Sequence, residues 1–454
     1  MTDADVAELK ARVCDAIDAR ADDIIEFAKD VQSEPELGYK EVETTKKVVS
    51  LFESLDLDVE TELAITGARA RVGGENGDDG DDSDDEFVAA VLGELDALVN
   101  PDHPLADPET GAVHACGHNA QLAHLVGTAF GLVEGDAIDS LDAAVEFVAV
   151  PAEEYLDLDY RRSLVESGDI EFFGGKQELI RRGYVDDWNM AVMMHAGSDE
   201  PERVVTSNFS TNGFVGKFVT YLGRESHAGA APEEGVNALN AAMLGMNAVN
   251  ALRETFADED YVRVHPIITR GGDGVNVVPA EVTMESYVRA KSIEAVGEAN
   301  EAVNRALRSG AMAVGGDVEI EDFPGYMPLS TDQTIIDAYD DNVRDLLGET
   351  ALSPGQPHLA GSTDMGDITQ LVPGIHPWTG GFEGAVHARD FRVVDEEMAY
   401  IVPAKLTACT LIDVLTDPEA REQLRAAKAE KRTREEYLDA VRDFRASETE
   451  SHLT

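Results

Sequence analysis

Residues 111–120 read GAVHACGHNA and set a thiol and an imidazole two positions apart, Cys116 and His118. In an extended segment, positions i and i+2 face the same side, so both side chains reach one ion and Gly117 leaves room between them. His114 has the same parity and is a further candidate ligand. A buried cysteine beside two helix-capping histidines is the plainer reading of the same residues. A pair of carboxylates follows in Pro151-Ala152-Glu153-Glu154, directly after the apolar run 145–150 (VEFVAV). Neighbours in a strand face opposite ways, so both acids reach one site only where the chain turns out of the sheet, as Pro151 favours. One carboxylate would then hold a metal. The other would act as general base, one hydrogen bond from the water it activates.

Two single histidines extend the set. His195 closes the apolar run 190–197 (MAVMMHAG), and His387 lies in FEGAVHARDFR ahead of a helix start at Asp395. Either one alone is more often a satisfied core residue than a ligand. Together, one thiolate, three imidazoles and a carboxylate, each at a turn or strand end, form a set suited to zinc, cobalt or manganese. Five protein ligands fit two metals better than one. Two ions about 3.5–4 Å apart can clamp the attacking and the leaving side of a hydrolysis. A hydrolase using the Cys116 thiol, and a metal-binding scaffold without catalysis, are the alternatives from other classes.

These residues need a scaffold. The runs 87–92 (FVAAVL) and 145–150 are short, apolar and rich in small or β-branched residues, as buried strands of a sheet covered on both faces are. A helical stretch, about 118–134, lies between them, and such alternation argues for an α/β sheet. Residues 4–32 read as an amphipathic helix and 40–55 as a second. From about 210 the pattern changes to strands at 214–222, 261–269, 282–289 and 318–321, with helices at 232–255 and 292–309. That is a small α+β domain inserted in the first. The expected organisation is a catalytic domain in two parts, 1–209 and 324–415, an insertion at 210–323, and a charged helical tail at 416–454. The tail begins with Asp417-Pro418, an N-cap acid followed by proline at the first helical position. Residues 75–86 (ENGDDGDDSDDE) are too acidic to bury apolar surface and read as a solvated loop.

Bulk composition excludes several classes. The 454 residues carry 90 Asp+Glu against 36 Lys+Arg, a formal charge of −54. Nucleic acid and anionic membranes repel such a surface. The acids are dispersed through amphipathic segments, which suits a halophile's enzyme screened by high salt. An acidic chaperone for basic partners is the alternative. Cys14, Cys116 and Cys409 are too few and too scattered for a disulfide framework, which fits a reducing compartment. Neither a secretory signal nor a run of about eighteen apolar residues is visible, so the expectation is a cytoplasmic protein without a membrane span.

In order, HACGH, PAEE, the apolar run ending in His195, SHAGAAP, NVVP and VHARDF resemble the zinc-dependent aminoacylase/carboxypeptidase family. The similarity is greatest to its hippurate, indole-acetyl-amino-acid and aminobenzoyl-glutamate hydrolases. It spans about 34–400 and includes Glu34–Gly38 (EPELG), Gly93–Leu98 (GELDAL) and Gly361–Asp367 (GSTDMGD). The resemblance implies a mixed-sheet di-zinc exopeptidase-like α/β domain with a lid and dimerisation domain at 210–323. It implies two divalent ions, zinc first and manganese or cobalt as alternatives, held by Cys116, His118, Glu154, His195 and His387, with Glu153 as general base. His227 matches a lid histidine that reaches the partner subunit's site and polarises the substrate carbonyl. Asn276 and Arg289 match positions that contact the substrate carboxylate, a task suited to the planar guanidinium fork. The implied reaction is hydrolysis of an N-acyl or N-aroyl amino acid; a dipeptidase or carboxypeptidase is the nearest alternative. Three departures stand out. Asn119 occupies a usual Asp position, so any supporting carboxylate role there is absent or moved to Asp96. Glu94 replaces a more typical Asp. GSTDMGD is more like the aminobenzoyl-glutamate group than the indole-acetyl group.

Overall fold

The computed structural model describes residues 1–74, 86–354 and 357–453. Apart from Glu86, the acidic run 75–86 lies outside them. Two compact units emerge. The first comprises Met1–Phe209, Ser330–Pro357 and Asp367–Arg434, and the second Ser210–Leu329, His358–Gly366 and Glu435–Thr454.

The first unit is built on a six-stranded mixed sheet. Its order is Val59–Leu63, Gly67–Gly73, Ala144–Val150, Val88–Glu94, Trp188–Val192, Gly374–Ile375. The first two pairings are antiparallel and the remaining three parallel. Val88–Glu94 and Ala144–Val150 are buried at every position, as expected of central strands with both faces covered. They run in register, Glu94 beside Val150, and the Leu95 N–H still bonds the Val150 carbonyl at 2.9 Å. Asp96 and the Glu153-Glu154 pair therefore leave the sheet side by side at its carboxyl end, where open α/β sheets collect their ligands. Trp188–Val192 adds His195 just beyond its own end.

Helix His118–Glu134 packs on this sheet and is buried from His118 to Leu132. The helix expected over 4–32 is two, Asp3–Ala19 and Ala21–Ser33, broken at Arg20, whose ψ of 10° leaves the helical region. Glu397–Thr416 is long and apolar enough to cross a membrane, but 89% of its most apolar 18-residue stretch is buried in the protein. It is apolar on all sides because it is surrounded on all sides.

The second unit is an antiparallel five-stranded sheet. Its order is Arg263–Arg270, Glu281–Ala290, Gly213–Leu222, Asp317–Pro324, Ala446–Glu450. Along Glu281–Ala290, Val282, Met284, Ser286, Val288 and Ala290 are buried and alternate with more open positions. That period of two packs one face against helices Ala238–Leu252 and Ile293–Val314. The tail departs from the expected helix at its end. Pro418–Ala429 and Arg434–Arg442 are helical, but Ala446–Glu450 is an edge strand. Its polar sequence gives no strand signal. Pairing with Asp317–Pro324 makes the strand, with Arg308 bridging to Glu448 and Glu450 and the His452 and Leu453 N–H groups donating to Asp317.

Candidate metal centre

Five side chains from four separate segments converge in the first unit. Ligand atoms of Cys116, His118 and His195 lie within 4.8 Å of one another, as do those of Cys116, Glu154 and His387. Cys116 belongs to both sets. Its Sγ is 3.3 Å from His195 Nε2 and 3.3 Å from His387 Nε2, and His387 Nε2 is 3.3 Å from Glu154 Oε1.

The backbone that achieves this is not the extended segment expected at 116–118. Gly117 takes a left-handed φ of 85° and caps the helix that begins at His118. A β-carbon there would fall 2.5 Å from that of Ala196, so glycine is required twice over. His114, the alternative ligand, is buried outside these sets. Neither ring nitrogen has a hydrogen-bond partner among the described residues, and burial followed by the charge of His118 lowers its pKa to about 3.

The PAEE turn is held from three directions. The Ala152 N–H donates to Glu41 at 2.8 Å and the Glu154 N–H to Asp96 at 2.8 Å. Buried Arg161 donates to the carbonyls of Ala152, Glu154 and Phe173. Ala152 has a left-handed φ of 57°, and so does His387 at 67°. Such conformations in residues other than glycine persist only where the surroundings over-determine them. Glu41 and Arg161 went unseen in the sequence. Arg161 sits in DLDYRRSL, which reads as a solvated helix face, and Glu41 among charged neighbours. Replacing Arg161 by Met strands three buried carbonyls, and urea unfolding should show a loss of about 3 kcal/mol. A loss under about 1 kcal/mol contradicts the anchoring role.

Asp96 also supports His118. The His118 Nδ1 donates to the Asp96 carbonyl oxygen at 2.8 Å, with the Asp96 carboxylate 3.3 Å away, which leaves Nε2 facing the site. Asn119 points elsewhere, donating to the Ala28 carbonyl. Glu153 Oε2 stands 3.8 Å from His118 Nε2. Behind His118, the fully buried Lys176 bonds Glu94 at 2.6 Å and Gln121 bonds it at 2.7 Å. Trp378 stacks on His195 with centroids 5.3 Å apart.

The electrostatics are those of a cation site. Burial pushes the Cys116 thiol up, but His195 and His387 pull it down to about 5. Burial opposes the charged ring of His387, yet Cys116 and Glu154 hold its pKa up to about 11. Burial likewise raises Glu94, and Lys176 with His118 overcomes it and holds the carboxylate ionised. Two ligand atoms, His118 Nε2 and Glu154 Oε1, are buried without a hydrogen bond among the described residues. Buried polar atoms are nearly always satisfied, so such a pair of orphans, one in each ligand set sharing Cys116, fits ions that complete them. The thiolate, imidazole and carboxylate donors match zinc-type chemistry.

His227, Asn276 and Arg289 all lie in the second unit. His227 Nδ1 accepts from the N–H groups of Gly229 and Ala230 at 3.2 and 3.1 Å, so Nε2 is left as the donor. The Ala228 N–H bonds the Asn276 carbonyl at 3.0 Å, tying these two segments together. Arg289 lies over the rings of Phe214 and Tyr287.

Residues 90–404 match the family described as Peptidase family M20/M25/M40. The Xaa-Arg dipeptidase of Mus musculus is 29% identical, covering 93% of this chain and 92% of its own length. The N-acetylcysteine deacetylase of Bacillus subtilis (strain 168) is 25% identical over 79% of this chain and 88% of its own. Among solved structures, a dinuclear metal-binding peptidase of Bacillus subtilis superposes with a TM-score of 0.65 at 23% identity. It covers 88% of this chain and 99% of that one. An aminobenzoyl-glutamate utilization protein of Klebsiella pneumoniae gives 0.60 at 16% identity, covering 88% and 98%.

Proposed function

The chain belongs to peptidase family M20/M25/M40, a family of hydrolases, and from that premise we propose that it is a two-metal amidohydrolase cleaving N-acyl or N-aroyl amino acids. The observation that carries this reading is the pair of three-ligand sets sharing Cys116, with Glu153 beside them. Cys116, His118 and His195 would hold one ion, and Cys116, Glu154 and His387 the other. Zinc is the first choice on donor type, with manganese or cobalt as alternatives. Bound there, the ions supply Lewis acidity that makes water a nucleophile at neutral pH.

Glu153 takes the proton of the attacking water and returns it to the leaving amine. Asp96 keeps the His118 ring oriented and anchors the Glu154 backbone. His227, contributed by a second copy, donates from Nε2 to the carbonyl oxygen as negative charge develops there. Asn276 and Arg289 take the substrate's free carboxylate. Replacing Arg289 by Ala should raise KM for carboxylate-bearing amides about 10- to 100-fold, the worth of a charge-assisted pair. An unchanged KM removes Arg289 from the site.

A homodimer through 210–323 is part of this proposal. Exposed Met243 and Leu244 on one helix and Ile267 and Ile268 on the sheet's edge strand offer it an apolar face. GSTDMGD favours aminobenzoyl-glutamate-like substrates. A dipeptidase is the second reading, favoured by the Xaa-Arg dipeptidase likeness over almost the whole chain. Assay of N-acyl, N-aroyl and dipeptide substrates on metal-loaded protein in high salt separates the two. Cleavage of dipeptides alone would reject the first. The acid excess and unpaired cysteines support a cytoplasmic enzyme of a high-salt cell. Dialysis to low salt should therefore unfold the protein or abolish activity. Unchanged activity would contradict the halophilic reading.

A further inference from the structure

Glu94 ends the central strand Val88–Glu94 and is 1% exposed. Its Oε2 stands 3.0 Å from His118 Nε2. That is hydrogen-bond distance, yet Nε2 makes no hydrogen bond among the described residues. The two atoms are close without being aimed at each other. Lone pairs that converge on a common third point produce this relation. Two ligands each about 2.1 Å from one ion, at a tetrahedral angle, stand roughly 3.4 Å apart. Glu94, His118 and Glu153 also form a third set of potential ligand atoms within 4.8 Å.

The Glu94 side chain is fixed before any ion arrives. Lys176 Nζ donates to Oε1 at 2.6 Å. Gln121 donates to Oε2 at 2.7 Å and accepts from the Glu94 N–H at 3.3 Å. Each carboxylate oxygen has two lone-pair directions, so this clamp leaves one on Oε2. Lys176 also supplies the countercharge that lets another carboxylate sit beside Glu153 and Glu154.

We infer that Glu94 is a sixth protein ligand, to the ion that His118 holds, with Gln121 and Lys176 as its positioning residues. The inference rests on the two-metal reading. It limits the open positions on that ion and sets its carboxylate near both His118 and the general base.

The test is metal titration of the metal-free full-length chain, Glu94→Gln against wild type. Zinc affinity is read by chelator competition, and coordination by the visible absorption of Co(II). The expected result is an apparent Kd raised at least about 10-fold for one ion, the other within about twofold, and an altered Co(II) band intensity. Two unchanged Kd values overturn the assignment. So does a raised Kd with an unaltered Co(II) spectrum, which makes Glu94 a support for His118. If thermal unfolding shows that Glu94→Gln does not fold, Glu94→Asp is read in the same titration. A carboxylate one methylene shorter should fall out of reach and weaken the same ion, and wild-type affinity in that variant overturns the inference. A wild type that binds fewer than two ions overturns the two-metal reading itself, and Glu94 with it.

Discussion

Glu153→Ala should bind two ions and unfold like wild type, yet hydrolyse amides about 1,000-fold more slowly. Glu153 is half-buried beside His118 and belongs to neither of the three-ligand sets that share Cys116. Removing it should leave affinity for both ions intact. It should remove the group that moves the proton, and general acid–base catalysis contributes about 10²- to 10⁴-fold. The loss should appear in kcat, with KM little changed, because Glu153 has no assigned contact with the ground-state substrate. Metal content by elemental analysis and steady-state kinetics on the same preparation check both halves. Turnover within a few-fold of wild type would reject Glu153 as base. Loss of an ion would make it a ligand instead.

Cys116→Ala has the second large effect, because Cys116 is the one ligand common to both sets. The substitution should weaken both ions at least about 100-fold, more than loss of a supporting contact does. His387→Ala removes a ligand from one set only and should leave the ion on His118 and His195 bound. The comparison separates a metal centre from a thiol enzyme. A Cys116 nucleophile predicts a Cys116→Ala protein that is inactive but fully metal-loaded. Chelator competition on the two variants distinguishes these cases directly.

The central strands were legible because burial on both faces leaves a continuous apolar run, and FVAAVL and VEFVAV have nothing else to be. The candidate ligands were legible only as an ordered set, since either single histidine alone reads more often as a satisfied core residue. Less visible was the backbone that brings them together. Cys116 and His118 are joined through the left-handed Gly117 at a helix start, a conformation that parity along an extended chain does not describe. Glu41 and Arg161 were invisible for a different reason. In a chain with 90 acids, a carboxylate or guanidinium in a polar segment looks solvated, and only the fold shows it buried against the PAEE turn. The strand Ala446–Glu450 likewise exists through its partner rather than its own propensity. Asn119, the departure from the usual Asp, donates to the Ala28 carbonyl.

The most direct measurement is stepwise metal return to chelator-stripped wild type in high salt, with hydrolysis of linear N-acyl and N-aroyl amino acids recorded at each step. The account predicts no turnover without metal and full turnover when two ions per chain are bound. Hydrolysis that survives stripping, or a protein with two ions bound that cleaves none of these amides, would contradict it.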